Sequence, residues 1–435
     1  MLQTIRNAWK LPELRGKILF TLFILLVYRL GSMLPVPFVN SDLMSQIMSQ
    51  TGGLFQYYSF LSGEAFSRAN VFALSISPYI TAQIVMQLLT IAIPALERMA
   101  KEGDEGRKKI SRITRYVTVA LGILTAYGYY TYLRSIDGML TNTSAFTGVV
   151  IVACYSAGAA IIMWLAEKIN DNGIGNGISI ILFANIVSRV PSMVTGAVST
   201  VIANLSNTKE FIIQLVLFIV AVIIALAMIY FVVHMHSAER RIPVQYAKRQ
   251  VGRKMYGGQN TYLPLKLNMT GVMPIIFASS IVALPSTIGM MFGKTSESTG
   301  FWGGLLKIFS PGNPVYAILT FVLIIAFAYF YISISFNPIE VANNLKRNGG
   351  SILGIRPGKP TTDYISKILN RITLIGAICL GFIAVIPLFA SMIGSSLSYL
   401  AFGGSSIIIV VGVIIETVTE IETQMTMRHY KGFLE

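Results

Sequence analysis

The sequence predicts an all-α membrane protein that crosses the bilayer ten times, and three observations support this fold class. Of its 435 residues, 54% are hydrophobic and only 12% are charged, and the mean hydropathy of +0.66 exceeds that of soluble domains. Ten apolar runs approach or exceed the length of about 20 residues that a spanning helix needs. Basic residues gather in alternate loops between these runs, which is typical of polytopic proteins.

The ten apolar runs divide the chain into two parts of equal span number. In chain order they are residues 18–34, 71–96, 116–133, 147–166, 174–190, 211–233, 271–292, 314–336, 372–393 and 405–425. Five runs lie in residues 1–207 and five in residues 208–435. An odd number of spans makes the two halves inverted relative to each other, an arrangement that places a pathway at their interface.

The distribution of basic residues predicts the orientation of the chain. The loops on the side of the N-terminus contain 27 Lys and Arg residues, whereas the loops on the opposite side contain 6. Because cytoplasmic loops are enriched in Lys and Arg, the N-terminal side is expected to be cytoplasmic. An even number of spans then places both termini in the cytoplasm.

A short apolar segment precedes the second span and predicts a re-entrant element. Residues 52–68 are too few and too polar to cross a bilayer, yet they include aromatic side chains that are too apolar for a solvated loop. Non-helical or broken-helical backbone at membrane depth is tolerated where protein covers it or where it lines a cavity. We therefore expect a half-helix over about residues 55–68 that faces a cavity.

Two long loops on the basic side are predicted to be structured. Residues 237–268 alternate apolar and polar side chains, pass through Gly257 and Gly258, and return as residues 261–267, which indicates a long hairpin. Residues 336–371 begin with a helix extension and reach a tip at residues 354–358. Such loops could hold topology or touch anionic lipid, but structured turns that carry arginines favour docking of a large cytoplasmic partner.

Five motifs, in order along the chain, resemble those of the SecY family of bacterial Sec translocon channels. They are SISPYITAQIVMQLL at residues 75–89, GIGNGIS at 173–179, RRIPVQYAKR at 240–249, MPIIFASS at 273–280 and GIRPG at 354–358. Their order matches the family, and they cover nearly the whole chain. The resemblance implies an hourglass-shaped protein-conducting channel that passes unfolded preproteins and releases membrane segments sideways into lipid.

The resemblance also assigns roles to individual residues. It places a pore ring at the waist, formed by Ile76, Ile80, Leu182, Ile186, Ile276 and Ile409. Leu182 replaces the isoleucine that is common at its position and keeps the site apolar. A plug on the outer side would include Phe55, Tyr58, Leu61, Ser62, Gly63 and Arg68. A lateral gate between the second and third spans and the seventh and eighth would include Gln83, Gln87, Ser279 and Ser280.

Basic loop residues and partners follow from the same resemblance. The expected docking residues are Arg240, Arg241, Lys248, Arg249, Arg253, Lys254 and Arg356. Arginine forks can engage rRNA phosphates or carboxylates, so the expected partners are the ribosome and the SecA motor ATPase, with SecE and SecG as further subunits in the bacterial inner membrane. The residues suggest no catalytic site, no cofactor and no metal site, so energy would come from a partner.

Elementary physics leaves alternatives open at several of these positions. Each ring isoleucine alone would be ordinary core packing. Pro78 and Pro274 lie near ring positions, where a proline inside a span bends the helix as a passive kink or as a hinge. The polar gate residues are expected to bond across the helix seam, at about 0.6–2 kcal/mol for each bond.

Two charges within spans carry further alternatives, and one of them bears on the function class. Arg29 is expected to snorkel to the membrane surface, and Glu416 could line an inner vestibule or belong to a proton relay. A relay would suit the alternative function, a secondary transporter for a small solute, which would need a compact charged site at the midplane. No such site is visible, because acidic residues are nearly absent from the spans and occur only toward the cytoplasmic end of the last run, at Glu416, Glu420 and Glu422.

Overall fold

Helices make up most of the structure, a computed structural model that describes residues 2–50, 62–203, 208–246, 249–251, 254–256, 260–292, 300–310, 313–393 and 403–431. The first half contains α1 Leu2–Lys10, α2 Pro12–Gly31, α3 Ser41–Gln50, α4 Ser77–Ala92, α5 Pro94–Lys101, α6 Asp104–Arg134, α7 Ala145–Asn172 and α8 Gly177–Ala203. The second half contains α9 Thr208–Ser237, β1 Glu239–Tyr246, β2 Arg249–Val251, β3 Lys254–Tyr256, β4 Asn260–Lys266, α10 Met273–Met291, α11 Phe301–Ile308, α12 Pro314–Ser335, α13 Pro338–Arg347, β5 Gly350–Ile352, α14 Lys359–Ile393 and α15 Gly403–Lys431.

A helix occupies each of the ten predicted apolar runs. Six helical stretches of the described chain are long and apolar enough to cross a membrane on their own, and a bent pair makes a seventh. α10 is apolar but shorter than a usual span. The protein is therefore a helical multi-span membrane protein, and the count of ten spans stays a prediction.

The second predicted span is shorter and more sharply bent than the sequence suggested. Its helix, α4, begins at Ser77, and residues 71–76 form turns instead of helix. α4 and α5 meet at an angle of 100°. Ile93 has an extended backbone between them because the ring of Pro94 disfavours helical geometry in the preceding residue.

The prediction that Pro78 and Pro274 bend the gate spans is wrong. Both prolines lie at the second residue of their helices, α4 and α10. The first turn of a helix has no carbonyl partner for its N–H groups, so a proline there costs no hydrogen bond. Within α10 the internal proline is Pro285.

The described part of the predicted plug is not helical. Residues 62–68 form a succession of turns that continues to residue 76. Phe55, Tyr58 and Leu61 lie outside the described residues. The predicted half-helix is therefore wrong for residues 62–68, where turn backbone replaces it.

The long hairpin predicted in the first basic loop is present. β1 pairs antiparallel with β4, from Glu239 opposite Lys266 to Gln245 opposite Asn260. Ile242 and Val244 are buried on one face of β1, as strand alternation predicts. The connection at Gly257 and Gly258 lies outside the described residues.

The second basic loop joins the same sheet, which the sequence did not predict. β5 pairs antiparallel with the free edge of β1, with Val244 opposite Ile352, and gives the strand order β4-β1-β5. The predicted extension of the preceding span is a separate helix, α13, which starts after a two-residue break. Asn337 caps it by accepting a hydrogen bond from the N–H of Ile339 at 3.1 Å.

The two halves contact each other through several pairs of helices. In the described residues, α10 packs against α4 and α6, and α8 packs against α15. α8 also contacts α9, the next helix along the chain, and α1 packs against α15. These contacts bring both halves around a shared hydrophobic centre.

Candidate functional site

The six aliphatic residues that the resemblance assigns to a pore ring lie in one buried hydrophobic cluster. Each of them is at most 5% exposed. They come from four places in the chain: Ile76 and Ile80 at the start of α4, Leu182 and Ile186 on α8, Ile276 on α10, and Ile409 on α15. Both halves of the chain therefore contribute aliphatic side chains to the same centre.

The local backbone explains why Ile76 and Ile80 at the start of α4 lie in the same cluster. Ile76 is the N-terminal cap of α4, and the N–H of Ile80 donates to the carbonyl oxygen of Ile76 at 3.1 Å. The two side chains are thus one helical turn apart, as on α8, where Leu182 and Ile186 repeat the spacing.

A buried polar cluster borders this hydrophobic centre, and sequence reasoning missed it. Asn185 is 0% exposed on α8, between Leu182 and Ile186. Its Oδ1 accepts a hydrogen bond of 2.8 Å from the hydroxyl of Tyr28 on α2, and its Nδ2 donates to Ser75 Oγ at 3.4 Å. Buried polar groups that are bonded to one another fix a single arrangement, so this cluster ties the start of α4 to α2 and α8.

The turns from the end of the predicted plug to α4 are anchored by hydrogen bonds from surrounding side chains. The hydroxyls of Tyr129 and Tyr155 donate to the carbonyl oxygens of Phe66 at 2.9 Å and Ala69 at 3.2 Å. On the other side, Asn70 Nδ2 donates to the carbonyl oxygen of Ser32 at 2.7 Å. Tyrosines within apolar runs gave no sequence signal for this role, because their partners are backbone carbonyls.

Residues 62–76 also hold backbone that is unfavourable for side chains. Glu64, Ala69 and Ser75 have φ values of +74°, +50° and +52°. Such values are uncommon for residues other than glycine and persist where the surroundings enforce them. The segment that leads to Ile76 is therefore held in place by its contacts.

The polar residues of the predicted lateral gate do not bond across the helix seam. The hydroxyl of Ser280 donates to the carbonyl of Ile276 in its own helix at 2.8 Å. Gln87 Oε1 is buried without a hydrogen-bond partner in the described part of the chain. Gln83 and Ser279 are half-buried and have no side-chain hydrogen bond to a described residue. The expected bonds across the seam are thus wrong for the described residues.

The two charges within spans both contact backbone. Arg29 Nη1 donates to the carbonyl oxygen of Gly63 at 3.3 Å, a contact that the sequence did not predict, and its snorkelling stays a prediction. The carboxylate of Glu416 lies against the backbone of Gly271, just before α10. A Cβ at Gly271, where φ is +63°, would collide with Glu416 Oε1. Glu416 therefore contacts the residues that lead into α10, and its place in a vestibule stays a prediction.

An open cavity of about 480 Å³ lies beside this contact. His236 lines the cavity, and Asn268 hydrogen-bonds its ring at 3.2 Å. Lys266, Glu416 and Glu420 add charges of both signs to the lining. The cavity belongs to the basic-loop end of the molecule, because β4 ends at Lys266.

Comparison with known proteins identifies the family. A family model described as SecY matches residues 70–418. The protein translocase subunit SecY of Streptomyces coelicolor is 44% identical over 446 residues, an alignment that covers 100% of both chains. This chain belongs to the SecY family.

Solved structures share the fold of this SecY-family chain at lower sequence identity. One described as a protein conducting channel has a TM-score of 0.66 and 17% identity over 97% of both chains. Canine Sec61 in a ribosome-channel complex has a TM-score of 0.64 and 18% identity, again over 97% of both chains. The fold is therefore that of the SecY and Sec61 channels.

Three of the predicted docking residues of this SecY-family chain are exposed on the sheet and its neighbouring tip. Arg240 and Arg241 are exposed on β1, and Arg241 Nε pairs with Glu239 Oε1 at 2.6 Å. Arg356 is exposed at the tip beyond β5. The remaining four fall in the inner part of the hairpin: Arg249 lies in β2 and Lys254 in β3, while Lys248 and Arg253 lie outside the described residues.

Proposed function

We infer that this chain is the central protein-conducting channel of the Sec translocon, which passes unfolded preproteins across the membrane and releases transmembrane segments laterally into lipid. Membership of the SecY family supports this function. The observation that carries it is the buried cluster into which both halves place the six aliphatic side chains of the proposed pore ring. The proposal makes this cluster the constriction between two funnels.

The chemistry of aliphatic side chains suits the constriction of a pore for unfolded polypeptide. Conduction requires that a passing chain bind weakly at every step, and isoleucine and leucine offer no hydrogen bonds to hold it. The same side chains exclude water and ions by dewetting when the pore is closed. Their packing around a passing chain of variable width keeps the membrane sealed during transport.

The proposed lateral gate is the seam where α10 meets α4 and α6. The polar groups of this seam add little attraction, because Ser280 is bonded within its own helix and Gln87 Oε1 has no partner among the described residues. An arriving apolar signal helix can then compete with helix packing, since its burial in lipid gains about 25 cal/mol per Å². A weakly bonded seam therefore suits sideways release.

The proposed partners dock on the sheet formed by the two basic loops. Arg240 on β1 and Arg356 at the adjacent tip offer guanidinium groups that bind carboxylates and phosphates in pairs of hydrogen bonds. The SecA motor ATPase and ribosomal RNA present these groups, and the Sec61 relative was solved in a ribosome-channel complex. SecE and SecG complete the proposed assembly in the bacterial inner membrane, with both termini of this chain in the cytoplasm.

The proposed channel performs no chemistry of its own. It supplies the passage, and the motor or the ribosome supplies the energy. Export should therefore stop when the partner's nucleotide hydrolysis stops, although the channel stays assembled.

Site-specific crosslinking tests the proposed channel. Cys154 and Cys379 are first replaced by serine, and a cysteine is placed at Ile80, which is buried in the cluster, or at Val85, which is exposed on α4. A preprotein stalled during export, with cysteines along its mature part, should crosslink strongly to Ile80→Cys. Val85→Cys is the matched control and should crosslink weakly.

The outcome that contradicts the channel is equal crosslinking at both positions or none at Ile80→Cys. Uptake of a small solute by vesicles that contain only this chain would instead favour the transporter alternative.

A further inference from the structure

Glu64 is the centre of a small charged cluster at the end of the predicted plug. Its Oε1 accepts a hydrogen bond of 2.8 Å from the hydroxyl of Ser192 and lies 4.0 Å from Arg189 Nε. Its Oε2 lies 3.5 Å from Arg68 Nη2, four residues further along the same segment. Because Ser192 and Arg189 belong to α8, the carboxylate joins the end of the predicted plug to this helix.

The partners of Glu64 differ in exposure, and therefore in the strength of their interaction. The side chains of Glu64 and Arg189 are 28% and 17% exposed, whereas that of Arg68 is 65% exposed. Water screens exposed pairs and reduces their contribution to little or nothing. The contact with Arg189 is thus expected to hold the segment more firmly than the contact with Arg68.

The neighbouring backbone places the carboxylate against α8. A Cβ at Gly63 would lie 3.0 Å from Asn185 Oδ1 and 3.1 Å from Ser188 Oγ, so the chain passes close to the helix surface. The carbonyl of Gly63 also accepts the hydrogen bond from Arg29 on α2. Glu64 itself has a φ of +74°, a conformation that its contacts must maintain.

These contacts lie next to the proposed pore ring. Arg189 follows Ile186 by three residues on α8, which is about 4.5 Å along the helix axis. We propose that Glu64 and Arg189 form an electrostatic latch that holds the end of the plug against α8 and favours the closed channel. Opening requires the segment at residues 62–68 to leave α8, so a broken latch makes opening easier and lowers the demand on the signal sequence. This inference rests on the proposed channel function.

Export of a reporter with a defective signal tests the latch. The full chain is expressed within its translocase in cells whose export depends on it, with one reporter that has a normal signal and another whose apolar signal core contains a charged residue. Glu64→Gln and Arg189→Gln are each expected to raise export of the defective-signal reporter about fivefold, the effect of losing one partly exposed ion pair. Export of the normal-signal reporter should not change.

Two further variants separate a latch from a general loss of stability. If the two groups act as a pair, the double variant Glu64→Gln/Arg189→Gln should export no more defective-signal reporter than the stronger single variant. Arg68→Gln is the matched control, because it removes a charge from the same carboxylate at an exposed position, and it should have a smaller effect. Ser192→Ala removes the 2.8 Å hydrogen bond to Glu64 at an exposed site, so it should raise export of the defective-signal reporter as Glu64→Gln does. It therefore still tests the latch if the Glu64→Gln protein does not accumulate in the membrane.

The latch is refuted if Glu64→Gln, Arg189→Gln and Ser192→Ala all leave export of the defective-signal reporter unchanged. Multiplied effects in the double variant, or an effect of Arg68→Gln as large as that of Arg189→Gln, also refute it. A failure of the unmodified chain to export the normal-signal reporter would instead contradict the proposed channel function.

Discussion

Gly158 on α7 is the position where one added methyl group should displace the turns that lead to Ile76. A Cβ there would overlap the carbonyl oxygen of Val71 and lie 3.0 Å from its carbonyl carbon. Backbone atoms cannot rotate away as a side chain does, so α7 and the segment must separate. Overpacking of this kind costs about 1–3 kcal/mol, and the better helix propensity of alanine returns at most about 1 kcal/mol. Gly158→Ala should therefore lower the free energy of unfolding by up to about 2 kcal/mol when alanine returns the full amount.

The matched control is Gly122→Ala on α6. A Cβ at Gly122 would lie 3.7 Å from the Cβ of Ala159, which is ordinary van der Waals contact. The control variant should be unchanged or stabilised by up to about 1 kcal/mol. Thermal unfolding of the purified proteins in detergent, followed by tryptophan fluorescence, should place the midpoint of Gly158→Ala below wild type and that of Gly122→Ala at or above it. Equal midpoints for the two variants would refute the reasoning.

Two further predictions concern the gate and the docking surface. Gln87→Leu removes a buried oxygen that has no partner among the described residues. It should therefore stabilise the closed gate by about 1 kcal/mol and reduce export of a reporter with a weak signal. Unchanged or increased export would contradict the role of this seam as the gate. Arg356→Glu should abolish export while the protein still accumulates in the membrane. Lys359→Glu, the same charge change three residues away, is the control and should reduce export much less. Full export with Arg356→Glu would contradict the proposed role of Arg356 in docking.

The sequence alone predicted the elements whose signal is local. Ten apolar runs each contain a helix, and strand alternation located the hairpin of β1 and β4 within one or two residues. Proline misled the prediction at Pro78 and Pro274, because the same residue that bends a helix interior is well suited to its first turn. The position of a helix start among continuous apolar residues has no strong sequence signal, so the second span was predicted to begin six residues too early.

The parts of the site that could not be predicted depend on partners distant in sequence. The three-residue strand β5 gains its hydrogen bonds from β1, more than 100 residues earlier, and such short strands have little pattern of their own. Asn185 stands in an apolar run, and its partners Tyr28 and Ser75 come from two other segments. Glu64 was passed over for the same reason, since Arg189 and Ser192 lie on a helix that begins far along the chain. The pore-ring assignment came from family resemblance, because isoleucines in spans are individually uninformative.

The three-stranded sheet couples two loops that are separated in the chain by the described helices α10, α11 and α12. Because β1 is hydrogen-bonded to both β4 and β5, a force that a bound protein applies to either loop acts on both loops. β4 ends at Lys266 and α10 begins at Met273, so only six residues transmit that pull to a helix of the seam. Glu416 packs against Gly271 within this short connection. A displacement of the sheet outside the membrane should therefore be transmitted to α10 through this short connection.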